Sequence, residues 1–155
     1  MTMLLSAQDY VVVGKAAKVF DEPDATGFVS LNSKNQEVTL QPGMAFKKLE
    51  KQTGWNIIEY SPGIRGYVSD QALAPKTVMP KPGTYKVANK AADSLKADNA
   101  NGAWTATVNG KTYNGKAFGN VVVFFSDPKT PAYSLVDLGN GPVAMTYDNS
   151  VTKFF

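Results

Sequence analysis

The sequence predicts an all-β protein built from two small antiparallel units. Three observations carry that prediction. Short β-branched and aromatic runs recur, with turn chemistry between them at roughly 8–12-residue intervals. Asn109-Gly110 separates Ala103-Trp104-Thr105-Ala106-Thr107-Val108 from Lys111-Thr112-Tyr113. Asn-Gly accepts positive φ at both central residues, which is what a two-residue hairpin needs. Finally, residues 75–83 hold three Pro and a Gly. Proline lacks an amide donor and fixes φ, so this stretch reads as an extended linker outside any sheet.

These signals divide the chain into a β unit over residues 10–75, a Pro-rich linker over 76–82, and a second antiparallel β-barrel or sandwich over 83–155. Apolar residues make up 43% of the chain, enough for a packed core. Each half alone would bury only about 60% of its unfolded surface. There is no Cys to staple either half, so the halves are expected to pack on each other.

In the first half, Tyr10-Val11-Val12-Val13 is a strand by composition, and residues 15–20 alternate loosely. Asp21-Glu22-Pro23-Asp24-Ala25-Thr26-Gly27 is turn chemistry. Glu37-Val38-Thr39-Leu40 runs into the Pro42-Gly43 turn, and residues 44–50 form the next strand. Gly54 opens Trp55-Asn56-Ile57-Ile58-Glu59-Tyr60, Ser61-Pro62-Gly63 turns the chain, and Gly66-Tyr67-Val68 is a last short strand. Gln71-Ala72-Leu73 fits a single 3₁₀ turn.

In the second half, Val121-Val122-Val123-Phe124-Phe125 is continuously apolar and reads as a central strand buried on both faces. A further hairpin joins residues 133–138 to 143–147 around Gly139-Asn140-Gly141. Ala88, Ala91, Ala92 and Leu95 have helical spacing amid several Asn, so residues 87–101 predict either one short helix or a long loop.

Once Trp55 and Tyr67 are placed, residues 11–74 resemble the bacterial SH3-like domain family. The resemblance rests on an ordered series: residues 12–20, the acidic Pro loop Asp21-Glu22-Pro23-Asp24, Val38-Thr39-Leu40-Gln41-Pro42-Gly43, residues 44–50, Gly54-Trp55-Asn56-Ile57-Ile58, Gly66-Tyr67-Val68 and the closing Asp70-Gln71-Ala72-Leu73. It implies a small SH3-like barrel with a binding role toward peptidoglycan, a peptide or a protein partner. Two features depart from the family pattern. Ala17-Lys18-Val19-Phe20 stands where Asn-Val-Arg is common, and residues 26–36 make a longer loop. Residues 83–155 resemble no family.

The candidate ligand-binding residues are Trp55, Tyr60, Tyr67, Arg65, Asp21, Glu22 and Asp24. On an alternating strand, Trp55, Ile57 and Glu59 face one way and Asn56, Ile58 and Tyr60 the other. Without a bulge, only one of Trp55 and Tyr60 faces the core, and the other ring is free for sugar stacking or an extended peptide. The competing reading buries both rings under loops or the second unit. Asp21, Glu22 and Asp24 put three carboxylates in four residues, suited to a cationic partner or simply a solvated turn. Arg65, the sole Arg, offers a fork to carboxylates, with Glu59 or the acidic loop as internal partners. Pro128-Lys129-Thr130-Pro131 matches P-x-x-P but reads as a loop between strands.

The absence of His and Cys excludes thiol catalysis, Ser-His triads and His/Cys zinc sites. No cofactor or metal site is expected. The charge of +3 comes from Lys scattered over the second half, which reads as ordinary solubility and not a nucleic-acid surface. No apolar run is long enough for a membrane span. The sequence therefore predicts a non-catalytic binding protein of the cell envelope, periplasmic, secreted or at the cell surface, with a monomer favoured. The alternatives are a structural adaptor whose aromatic face is covered by the second unit or another chain, and a small carboxylate-based hydrolase. Residues 1–7 read either as the stub of a removed signal peptide or as a native start.

Overall fold

Strands form where β-branched and aromatic residues alternate, and the computed structural model, which describes residues 10–147, is all-β. The signal-peptide reading of residues 1–7 lies outside the described residues. The first half contains β1 (Tyr10–Val12), β2 (Ala17–Lys18), β3 (Thr39–Leu40), β4 (Ala45–Gln52), β5 (Trp55–Ser61) and β6 (Ile64–Ser69). Strands β1-β4-β5-β6 make one antiparallel sheet, and β2 pairs separately with β3. A 3₁₀ turn at Asp70–Ala72 follows, in which the Gln71 amide donates to the Ser69 hydroxyl.

Both edges of this N-terminal sheet are extended. At one edge Val13 bridges Leu73, and the Ala74 amide donates to the Val12 carbonyl at 2.7 Å. At the other, Phe20 and Tyr67 exchange both backbone hydrogen bonds, at 2.9 and 2.8 Å, and Phe20 in turn bridges Val29.

The second half holds β7 (Gly83–Lys86), β8 (Ser94–Ala100), β9 (Ala103–Val108), β10 (Lys111–Phe118), β11 (Val121–Asp127), β12 (Thr130–Asp137) and β13 (Pro142–Thr146). They form one seven-stranded antiparallel sheet in simple chain order. It curls into a nearly closed barrel. Closure comes from a parallel bridge between Val87 and Ala144 and from the Asn89 side chain. Asn89 accepts from the Thr146 amide at 2.8 Å and donates to the Thr146 hydroxyl at 2.7 Å.

The Asn109-Gly110 hairpin forms as its chemistry requires, with φ of 51° and 78°. The expected helix or long loop over residues 87–101 is corrected. Ser94–Ala100 is a strand, with Leu95 and Ala97 facing inward and Ala91 and Ala92 exposed. Ala100 pairs with Ala103 around Asn101-Gly102, a second Asn-Gly turn with φ of 53° and 91°. The Pro128-Lys129 step is a tight turn between β11 and β12.

Strand β11 is buried on both faces. Val122 and Phe124 point into the barrel beside Trp104, Leu135 and Tyr133. Val121, Val123 and Phe125 join the core of the first half, with Val12, Val13, Phe46, Ile58 and Val68. One apolar core thus spans both sheets. Tyr10 stacks edge-on against Phe118 at 5.8 Å. Asn120 donates to Thr77, and Val78 of the Pro-rich stretch bridges Asp137. At Gly43 a Cβ would lie 3.0 Å from both Met145 and Val136, so this turn needs a residue without a side chain.

Candidate functional site

The faces of β5 follow from its alternation. Asn56, Ile58 and Tyr60 point inward, and Tyr60 is 6% exposed within the shared core. Tyr60 therefore leaves the set of surface candidates. Trp55 and Ile57 lie on the opposite face, where Ile57 is itself buried. Cross-strand pairing places Tyr67 beside Ile57 and Arg65 beside Glu59 on that face. Phe20, paired with Tyr67, joins them, and its ring meets Trp55 edge-on at 5.6 Å. Val29, Phe20, Tyr67 and Ile57 thus form one transverse row, with Trp55 next to it. Phe20, Trp55 and Tyr67 are each half-buried, and none belongs to the core shared with the barrel.

This arrangement depends on Gly66. A Cβ there would meet Val19 Cγ1 at 2.3 Å and the Tyr60 ring at 3.0 Å. Gly66 lets Val19 and Tyr60 close the core directly beneath the row, which holds Phe20 and Tyr67 outward.

The acidic loop sits at the end of the row. Asp21 Oδ1 accepts from the Ser30 hydroxyl at 2.5 Å. Asp24 Oδ1 accepts from the Thr26 amide and hydroxyl at 2.9 and 2.8 Å. Those two Thr26 bonds, the backbone one first, hold the Asp24 carboxyl below its usual range. Two of the three carboxylates therefore order their own loop while remaining exposed; Glu22 is exposed as well. Arg65 was expected to pair internally. Among the described residues it makes no ion pair, and Glu59 instead accepts from the Gly63 amide at 3.0 Å.

Sequence reasoning missed Phe20, which stood out only as a departure from a family motif. Its signal was the step from buried Val19 to the next residue, which alternation turns outward. Phe28 was also missed; it is 80% exposed on the segment that pairs with Phe20.

A second polar cluster closes one end of the barrel. Asp93 is only 4% exposed. It accepts from Asn109 at 2.9 Å and from the Tyr133 hydroxyl at 3.1 Å, and pairs with Lys90 at 3.2 Å. The Asn109 bond holds the carboxyl below its usual range against the effect of burial, with help from Lys90 and Tyr133. Burial, then the hydrogen bond to Asp93, pushes the Tyr133 phenol up to about 12. Neither group changes protonation near neutral pH, so the cluster behaves as a fixed latch and not as an acid–base pair.

Among the described residues, no group of His, Cys, Asp and Glu is arranged to hold a metal ion. None of their helices is long and apolar enough to cross a membrane. In comparisons with known proteins, no family model, no curated protein and no solved structure matches the chain.

Proposed function

We propose that this chain is a non-catalytic binding protein of the bacterial cell envelope, whose N-terminal unit is SH3-like and holds an extended ligand across Phe20, Trp55 and Tyr67. The observation that carries the reading is the gathering of three half-buried rings on one sheet face outside the shared core. Ring faces and edges give sugars and extended peptides a large contact area at little entropic loss. An Arg without an ion pair and an acidic loop flank the rings and supply orientation. The family resemblance implies peptidoglycan, a peptide or a protein partner, and the cell wall offers both glycan and peptide.

The test is retention on purified sacculi at low salt. The wild type is expected to be retained and Trp55→Ala to lose at least about tenfold in affinity, the effect of one central aromatic anchor. Passage of the wild type without retention overturns the cell-wall reading. One observation favours a protein partner as the second reading: Phe28, Leu31 and Ile64, all in the same half of the chain, are exposed apolar side chains. In that case the chain is an adaptor, and the same Trp55→Ala variant loses the partner instead.

A further inference from the structure

A groove of about 440 Å³, within the usual size of a small-ligand site, opens along β10 and β11 beside Phe125, at the margin of the core shared with the first half. It lies on the seven-stranded sheet, away from the aromatic row. Asn114 pairs with Phe125 and Lys116 with Val123. Beyond the Asn114–Phe125 pair, Thr112 and Asp127 both line the groove. The groove is therefore a stripe with Asp127 at one end, Lys116 at the other, and Phe125 with Asn114 between them.

The two charges do not satisfy each other. Among the described residues neither Lys116 nor Asp127 makes an ion pair. The Lys129 amide, which donates to Asp127 Oδ1 at 2.9 Å, holds its carboxyl below the usual range, with help from hydrogen bonds from Thr130. Four residues of strand separate the charged ends, roughly 14 Å between Cα positions. The Asn114 amide, both donor and acceptor, complements a peptide group, and the Phe125 ring supplies an apolar floor.

We infer that this groove binds a short linear peptide with free ends, its amino group at Asp127 and its carboxylate at Lys116. An extended peptide rises about 3.4 Å per residue, so roughly three or four residues span the stripe. A simple anion is repelled by Asp127 and a simple cation by Lys116; only a ligand carrying both charges at this spacing is favoured at both ends.

The experiment is calorimetric titration of the full chain with Ala-Leu-Ala and with its N-acetyl, C-amide and doubly capped forms. The free tripeptide is expected to saturate at about millimolar concentration or below, and each cap to weaken binding about tenfold. Lys116→Gln is expected to erase the effect of the amide cap while keeping that of the acetyl cap. Asp127→Asn is expected to do the reverse, and its amide oxygen can still accept from Lys129. Absence of saturation, equal binding of all four peptides, or cap effects unchanged in both variants overturns the inference. Trp55→Ala is expected to leave tripeptide binding intact. If it abolishes that binding, the peptide sits on the aromatic row and the groove assignment falls.

Discussion

The two tryptophans of this chain sit in opposite situations, and the contrast extends to the halves that hold them. Trp104 is buried inside the barrel with Phe124 and Tyr133. Trp55 lies half-buried on an outer face, edge-on to Phe20. The barrel is a meander in chain order whose interior holds Trp104, Phe124 and Tyr133, while its Phe118 and Phe125 face the shared core. The N-terminal sheet is irregular, with two-residue strands, isolated bridges and a long polar loop, and it turns three rings outward. A sheet that spends its aromatic residues inside makes a scaffold. A sheet that keeps them outside retains apolar surface that only another molecule can cover.

The comparison is tested most severely at β11, which serves both halves. Phe124→Ala empties the barrel interior and is expected to destabilise the protein by about 3–5 kcal/mol. Because Val121 and Val123 of the same strand belong to the shared core, loss is expected in one cooperative transition. Urea unfolding followed separately by Trp55 and Trp104 fluorescence checks this, and two separated midpoints would break the picture of a shared core.

A smaller effect separates a glycine held by space from one held by conformation. Gly66→Ala places a methyl against Val19 and Tyr60 and is expected to destabilise by about 1–3 kcal/mol. Gly102 has open space but a φ of 91°, so Gly102→Ala is expected to lose about 1 kcal/mol from backbone strain alone. Chemical denaturation of both variants measures the difference, and equal losses would remove the packing argument for Gly66.

The latch at Asp93 makes the barrel sensitive to pH at both extremes. The folded Asp93 pKa lies below its ordinary 3.8. Its contribution is therefore complete above that value and fades as pH falls through the lower folded one. Tyr133, raised from 10.0 to about 12, contributes below 10.0 and loses that contribution as pH rises toward about 12. Melting temperature against pH is expected to fall on both sides. Asp93→Asn is expected to flatten the acid side, and an unchanged acid limb would remove Asp93 from the account.

The smallest effect is spectroscopic. In Trp104→Phe the remaining Trp55 is expected to be quenched by acrylamide more strongly than Trp104 is in Trp55→Phe. Equal quenching would mean that the outer face is covered.

Much of the fold was legible before the structure. Turn dipeptides at Pro42-Gly43, Pro62-Gly63 and Asn109-Gly110 mark local conformations that few other residues accept, and each forms as expected. Asn101-Gly102 carried the same signal and went unread, because alanines at 88, 91, 92 and Leu95 imitate helical spacing. Leu95 and Ala97 alternate just as well with a strand, and pairing across the Asn101-Gly102 turn decided between the two. Of the candidate site, Trp55, Tyr67 and Arg65 lie on one face, whereas Tyr60 belongs to the core. Phe20 completes the row only through its pairing with Tyr67, nearly fifty residues along the chain.

By itself, the sequence determined that Trp55 and Tyr60 face opposite ways, that β11 is buried on both sides, and that the chain turns where Gly and Asn permit positive φ. These are local matters of steric preference and period-two alternation. Which side of each strand became the core was decided only by tertiary structure. Alternation defines two faces and is silent on which one meets a partner. That choice fell to Val19 pressing over Gly66 and to Val121, Val123 and Phe125 closing the core from the other sheet. Burying apolar area against a second sheet selects one face and leaves the other, with its rings, outside that core.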